Sequence, residues 1–148
     1  MPKRSKARVL ALQIIFQLQA QSGDFLEKID DFVKEAGLDA GLSGYGRELA
    51  LQAWGKRAEA DELINKFARD WQASSLPAVD LAILRLAICE MLHRSEVPDK
   101  VAIDEAIKLA KTYSTERSSK FINGLLDTIM KSTVAQAENL AAGGDSTE

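Results

Sequence analysis

The chain has 148 residues, of which 46% are hydrophobic and 28% are charged, and its formal net charge is −3. These values suit one folded domain with a substantial core and exclude a disordered chain. No apolar run has transmembrane length, and Gln13, Gln17 and Gln19 interrupt the segment that would have to form a signal-peptide core. Cys89 is the single cysteine and has no intramolecular disulfide partner, so we expect a soluble, cytoplasmic protein.

Helical spacing of apolar residues and strong helix formers predict helices along most of the chain. The predicted elements up to residue 71 are a helix over residues 6–21, a helix from its N-cap Asp24 to Gly37, a glycine-rich loop over residues 38–46, and helical sequence over residues 47–71. A polar run over residues 56–62 predicts a bend between two antiparallel helices within the last of these. One continuous helix is the alternative.

The segment between Pro77 and Pro98 is the most hydrophobic, and its apolar residues surround the helix on all sides. A helix of this kind is central and buried. Arg85 is the exceptional residue of this apolar helix, because a guanidinium is rarely buried unless it is paired. It either joins helices through an ion pair or carbonyl contacts, or projects into a ligand-facing surface. We expect Cys89 and His93 in the core or at its rim.

Two further helices and a polar tail complete the pattern. One helix covers about residues 101–111, and the last begins near Ser119. Gly124 lies inside the last helix, where glycine costs about 1 kcal/mol relative to alanine, so we expect close packing against a neighbouring helix. From residue 135 onward the residues are small and polar, which predicts a disordered segment. The sequence therefore predicts an all-α domain over residues 1–134 and a disordered tail over residues 135–148.

Catalytic and metal-binding constellations are incomplete. Residues Glu90 to His93 match the Glu-x-x-His element of di-iron bundles, but that site needs a second histidine and His93 is the only one. Cys89 lies on the most buried helix, out of reach of a substrate. The glycine-rich residues 41–46 lack a preceding strand and a following Gly-Lys-Ser/Thr. We expect no enzyme activity, no metal and no cofactor.

Positive charge is concentrated at the amino terminus. Four of the 19 basic residues precede the first acidic residue, Asp24, and the rest of the chain has 15 basic and 22 acidic residues. The four are Lys3, Arg4, Lys6 and Arg8, within a basic arm over residues 2–8. A cationic arm on an anionic body predicts a polyanionic partner at one end, above all nucleic acid. A terminus that only aids solubility is the alternative.

The first helix could supply more than charge. Arg4 and Arg8 are four residues apart, so they share a face if the helix begins early. Gln13 and Phe16 follow on the same helix and offer an amide and an aromatic plane, and cations beside a stacking surface are typical of single-stranded RNA recognition. Ordinary core packing is the alternative for Phe16.

A second basic surface is predicted near the last helix. It contains Lys108, Lys111, Arg117 and Lys120, with several hydroxyl groups around them. Ser119 and Lys120 are expected in the first turn of the helix, where free backbone N–H groups favour phosphate. A solvated helix connection is the alternative.

Three sequence blocks are distinctive: RLAICEML (residues 85–92), VPDKVAIDEA (residues 97–106) and SKFINGLLD (residues 119–127). In this order and spacing they resemble the NusB family of bacterial transcription antitermination factors. Lys6, Ala7 and Arg8, followed by Ala11, Leu12, Gln13 and Phe16, are similar to the basic arm and first helix of that family. The resemblance covers roughly residues 3–130 and is strongest over residues 79–127; its specificity lies in the order and spacing of the blocks.

The resemblance implies about seven helices in two small bundles around a central apolar helix. It also implies binding of boxA, a short linear RNA element of ribosomal RNA transcripts, together with NusE, a small-subunit ribosomal protein. The pair would then support read-through by RNA polymerase. RNA cytosine methyltransferases carry a similar domain ahead of a catalytic domain, but residues 115–120 here resemble the free-standing factor.

The family pattern assigns site residues as follows. RNA contacts map to Lys3, Arg4, Lys6, Arg8, Gln13, Phe16, Lys120 and Phe121, and the second basic surface adds Arg117 and Ser119. The NusE surface maps to Leu76 and Asp80. Phe16 stands where tyrosine is common in the family and keeps the ring without the hydroxyl. Cys89 likewise replaces a frequent tyrosine, and Arg117 places a cation where an acidic residue is often found. We expect the arm and the last helix to form one continuous RNA-binding surface; a pure protein-interaction scaffold is the rival function.

Overall fold

A computed structural model describes residues 2–146, with the side chains of residues 4–136, 139 and 140. Within residues 2–146 it has seven α-helices, two short 3-10 helices and no strand. The α-helices are α1 (Pro2–Gln21), α2 (Ile29–Ala36), α3 (Ala40–Gly55), α4 (Arg57–Phe67), α5 (Ala78–His93), α6 (Asp99–Tyr113) and α7 (Glu116–Ser146), and the 3-10 helices are Ser22–Lys28 and Ala73–Ser75. No helix of the described residues is long and apolar enough to cross a membrane.

Helix α5 is the centre of the fold. It packs against α1, α3, α4, α6 and α7. Buried residues such as Ile83, Leu84 and Ile88 occupy several faces of α5, because it is apolar all round. Helices α1 to α3 contact one another, and α4, α6 and α7 form the second group. The prediction of an all-α fold around a central apolar helix is confirmed.

Helices α1 and α3 pack closely at Gly46. A Cβ atom at this position would lie 2.7 Å from the backbone oxygen of Ala7, so only glycine fits without a shift. The prediction of a loop over residues 38–46 is wrong, since α3 begins at Ala40 and the Asp39 carboxylate caps it by accepting from the Leu42 N–H at 2.9 Å. The prediction failed because small residues such as glycine are typical both of flexible loops and of closely packed helices.

Other boundaries agree only in part with the predictions. Gly37 ends α2 in the left-handed conformation, with φ of 71°, and a break at Lys56 separates α3 from α4, as predicted. Asp24 caps no α-helix, because it lies inside the 3-10 helix and α2 begins at Ile29.

Helix α7 differs from the predictions in two respects. Gly124 is exposed, and a Cβ atom there would have no neighbour within 4 Å, so the expected close packing is absent. The helix also continues through residues 135–146, where a disordered tail was expected; residues 147 and 148 lie outside the described part. Its alanine, glutamine and glutamate have high helix propensity, although Val134 and Leu140 are exposed there.

Candidate nucleic-acid interface

Arg8 departs from its expected place on an RNA-binding surface. It is only 3% exposed, and its Nε and Nη2 atoms each donate to the Glu90 carboxylate at 2.9 Å. Its Nη1 atom lies 3.6 Å from Oε1 of Glu105. The side chain turns inward because the face of α1 that carries it packs against α5. Arg8 therefore joins α1 to α5 and α6 inside the protein.

The buried carboxylates have several further partners. The Tyr45 hydroxyl donates to Glu90 Oε2 at 2.6 Å. The Ser5 hydroxyl and the Lys108 ammonium donate to the two oxygens of Glu105, at 2.7 and 3.1 Å. These bonds fix the first two turns of α1 against α3, α5 and α6. We call Arg8, Tyr45, Glu90 and Glu105 the buried cluster.

Three members of the buried cluster have shifted pKa values. Burial opposes the charged form of Arg8, but the hydrogen bond and charge of Glu90 outweigh it and raise the pKa of Arg8. Burial, with the hydrogen bond to Glu90 and its charge, raises the pKa of Tyr45 to about 12, so the phenol stays neutral. Burial also opposes ionisation of Glu105, but the bonds from Ser5 and Lys108 and the charge of Arg8 prevail and lower its pKa.

The remaining arm residues lie near the surface. The guanidinium carbon of Arg4 is 4.5 Å from the centre of the Tyr45 ring. Lys6 is exposed and lines a groove of about 250 Å³, whose other lining residues are Val9, Leu10, Gln13, Ala36 and Leu38. Lys3 belongs to α1, but its side chain lies outside the described part of the chain.

A second groove follows along α1. Gln13 and Phe16 line it together with Leu12, Gln17, Phe32, Val79 and Tyr113, and its volume is about 360 Å³. Gln13 lines both this groove and the first one, so the two adjoin. Phe16 is partly exposed in the groove and is not among the buried core residues.

A third groove has a volume of about 430 Å³, and its lining residues are Trp71, Leu76, Pro77, Asp80, Arg117, Ser118 and Phe121. The start of α5 contributes to both grooves, through Val79 in the second and Asp80 in the third. The groove thus brings Arg117 and Phe121, expected to contact RNA, beside Leu76, expected to contact a protein.

Two predicted contact residues are buried and have internal partners. The Asp80 carboxylate is 3% exposed and accepts from the hydroxyls of Ser114 and Ser118 at 2.6 and 2.7 Å. Ser119 is 2% exposed, and its hydroxyl donates to the backbone oxygen of Glu116 at 2.7 Å. Through these internal bonds both residues shape the turn between α6 and α7 and the start of α7. Lys120, in contrast, is exposed.

We call the residues that line these three grooves, from Lys6 to Phe121, the groove path. Several of its aromatic residues were not predicted from the sequence: Phe32, Tyr113 and Trp71. Tyr113 and Trp71 are 45% and 48% exposed, which is unusual for large aromatic side chains. The sequence feature that could have identified Tyr113 and Trp71 was their position beside polar residues near helix ends.

The remaining polar residues of α5 have structural roles. Arg85 bonds to both carboxylate oxygens of Asp61, at 3.0 and 2.7 Å, and donates to Gln19, which confirms the predicted link between helices. Burial raises the pKa of Cys89 to about 11, and the thiol is therefore a poor nucleophile. His93 is partly exposed and contacts Glu59 at 2.6 Å. No cluster of three potential metal-ligating side chains occurs among the described residues.

Comparison with known proteins agrees with this architecture. The NusB family model matches residues 5–131. The transcription antitermination protein NusB of Symbiobacterium thermophilum is 40% identical over 137 residues, which cover 86% of this chain and 89% of the relative. The NusB protein of Acidothermus cellulolyticus is 42% identical over 126 residues, which cover 85% and 86% of the two chains.

Solved structures show the same fold. T. maritima NusB superposes with a TM-score of 0.78 and 34% identity, covering 86% of this chain and 90% of its own. A crystal structure of the antitermination factors NusB and NusE in complex with dsRNA gives a TM-score of 0.80 at 24% identity, covering 89% and 98%. The matched residues, the helix order and the arrangement around α5 show that this chain belongs to the NusB family.

Proposed function

We propose that the protein is a non-enzymatic transcription antitermination factor of the cytoplasm. It binds boxA-type single-stranded RNA of ribosomal RNA transcripts together with NusE and supports read-through by RNA polymerase. The observation that carries this proposal is the groove path, whose lining residues include the exposed cations Lys6 and Arg117 and several aromatic side chains. The names of the relatives that are about 40% identical over most of the chain support the same function.

The chemistry of the groove path suits a single strand. Lys6 at one end and Arg117 at the other can neutralise phosphates, while Phe16 and Tyr113 offer rings to unstacked bases. Each stacked base contributes about 1–3 kcal/mol and tolerates many sequences. A double helix has no splayed bases for these rings. The path therefore favours a linear, single-stranded ligand.

The partner surface is proposed to adjoin the RNA. Leu76 and the exposed ring of Trp71 line the third groove beside Phe121. A protein that covers Leu76 would also enclose RNA bound at Phe121, so each partner would strengthen binding of the other. Asp80 contributes by holding the α6–α7 turn, since its carboxylate is already bonded to Ser114 and Ser118.

A titration of fluorescent boxA RNA, with and without NusE, tests the proposal. The variants Phe16→Leu and Phe121→Leu should each weaken binding by about 5- to 150-fold, because leucine keeps the apolar bulk but loses the stacking plane. Phe67→Leu is the matched control, since Phe67 belongs to α4 and lines none of the three grooves.

The rival function, a scaffold that binds only proteins, predicts a different outcome. A scaffold would bind NusE without responding to RNA, and substitution of the exposed cations Lys6 and Arg117 would not change RNA affinity. The proposed factor should instead show a slope of log K against log salt of about −3, for four or five neutralised phosphates. RNA binding that is absent both with and without NusE would refute the proposal.

A further inference from the structure

The ring of Tyr45 lies among three guanidinium groups. The guanidinium carbons of Arg4, Arg94 and Arg8 are 4.5, 5.2 and 5.9 Å from the ring centre. Aromatic rings attract cations at such distances, so the ring holds the groups together although their charges repel. Two of these cations belong to α1, and the third is Arg94, the residue that directly follows α5.

Of the three charges, that of Arg8 is balanced by buried carboxylates. Arg8 is paired with Glu90 and Glu105. Among the described residues, no carboxylate lies within 4.0 Å of the charged nitrogens of Arg4 or Arg94. The Arg94 side chain donates a hydrogen bond to the neutral amide oxygen of Gln52, at 2.8 Å.

Glu90 does not balance these two charges. Its carboxylate accepts three bonds from Arg8 and one from Tyr45, and it is 1% exposed. Arg4 and Arg94 are partly exposed, so their unpaired charges can reach solvent and any ligand in it. We call Arg4, Arg94 and the Tyr45 ring between them the platform. Because its two cations have no carboxylate partner among the described residues, they can bind an anion.

We propose that Arg4 and Arg94, both held on the Tyr45 ring, form a binding site for a backbone phosphate of single-stranded nucleic acid. Guanidinium groups bind phosphate oxygens through paired N–H donors, which makes arginine well suited to this ligand. The site lies on the α3–α5 side of α1 and is separate from the groove path. Tyr45 and Arg94 thereby gain a role in binding, although both lie outside the regions that the sequence predicts to contact RNA.

The location favours a polynucleotide over a free anion. Arg4 and Phe16 are twelve residues apart on α1, which corresponds to about 18 Å along the helix. A single strand that occupies the groove path could extend past Lys6 to this platform. The inference thus deepens the proposed function and rests on it, because the phosphate is taken to belong to the same RNA.

The test compares three single variants that alter the same number of charges. Arg94→Gln and Arg4→Gln should each reduce the salt slope of RNA binding by about 0.7, the value for one lost phosphate contact on a single strand. Arg47→Gln is the control, because Arg47 lies on α3, two residues after Tyr45, and its Nε atom is paired with Oδ1 of Asp30 at 2.9 Å. Arg94→Lys should restore most of the slope, since an ammonium still neutralises a phosphate.

An abasic oligonucleotide of the same length separates phosphate contacts from base contacts. Arg94→Gln should reduce the slope equally with RNA and with the abasic strand, whereas Phe16→Leu should have no effect on the abasic strand. If Arg94→Gln behaves like Arg47→Gln with both ligands, the phosphate site is refuted while the groove path still stands. If Phe16→Leu and Phe121→Leu leave RNA binding unchanged while Arg94→Gln reduces the slope, the proposed function fails and the phosphate site survives.

The platform itself is tested at Tyr45. Tyr45→Phe keeps the ring and should keep the salt slope, although it removes the bond to Glu90. Tyr45→Leu removes the ring and should reduce the slope as Arg94→Gln does. Circular dichroism and thermal melting of each variant establish that it is folded under the binding conditions. Equal slopes for Tyr45→Leu and the unaltered protein would overturn the role given to the ring.

Discussion

Arg8 provides a sharp test of the structure, because a surface contact to RNA and a buried ion pair predict opposite results. We consider Arg8→Met, which keeps much of the side-chain length and removes the charge. In the structure this change leaves the Glu90 carboxylate buried, with the Tyr45 hydroxyl as its remaining bond donor. Glu105 would keep its bonds from Ser5 and Lys108.

The expected loss of stability follows from that uncompensated charge. Removing one partner of a buried ion pair costs about 3–5 kcal/mol, since the other charge remains without water or a partner. A domain of this size is stable by about 5–15 kcal/mol, so the variant should lose a large fraction of its stability. Replacing Glu90 as well, in Arg8→Met with Glu90→Leu, should recover more than half of the loss because no buried charge is then left unpaired.

Lys6→Met is the matched control. Lys6 precedes Arg8 by two residues on α1 and is exposed, so its loss removes the same charge from the same arm. The unfolding free energy of the Lys6→Met protein should differ from that of the unaltered protein by less than about 0.5 kcal/mol. The slope of log K against log salt for RNA binding should become shallower by about 0.7. Urea denaturation followed by circular dichroism measures the stabilities. Equal stability of Arg8→Met and Lys6→Met would contradict the buried role of Arg8.

Three further predictions concern packing and pH. Gly46→Ala should destabilise the fold by about 1–3 kcal/mol in urea denaturation, because its Cβ would press on the backbone of Ala7, 2.7 Å away; unchanged stability would contradict this. Gly124→Ala should instead stabilise α7 by about 1 kcal/mol and raise the melting temperature, since its Cβ would meet open space. Because the pKa of Glu105 is lowered from 4.5 on folding, the stability that it contributes is present above about pH 4.5 and is lost as pH falls through the lower folded value. Thermal melts from pH 3 to 7 should therefore show a shallower acid decline for Glu105→Gln than for the unaltered protein; identical profiles would count against the assignment.

The fold was largely predictable because its strongest signal is local. Apolar residues on all sides of residues 78–93 require a buried helix whatever surrounds it, and the bend at Lys56 and the end at Gly37 follow from local chemistry as well. The loop predicted over residues 38–46 failed for a non-local reason. Gly46 is required by the backbone of α1, some forty residues earlier in the chain, and no periodicity within α3 reveals that contact.

The candidate site was predictable only in part. Charge and spacing indicated that Lys6, Gln13 and Phe16 belong to one surface, and all three line the groove path. Which cations are free depends on where the carboxylates lie, and the pairing of Arg8 with Glu90 spans 82 residues. Tyr45 could not be predicted either, because its contacts with Arg4 and Arg94 exist only after α1, α3 and α5 have packed together.

The internal position of Arg8 also has a consequence for the charges that remain outside. An arm of free cations would lose its conformational freedom on binding, at a cost in affinity. In this fold α1 includes the arm, and the bonds of Ser5 and Arg8 hold its first turns against α5 and α6 before any RNA arrives. If preorganisation is what Arg8 provides, then a folded Arg8→Met protein should bind RNA more weakly than the unaltered protein while its salt slope stays the same. A reduced slope in that variant would instead mean that Arg8 itself neutralises a phosphate.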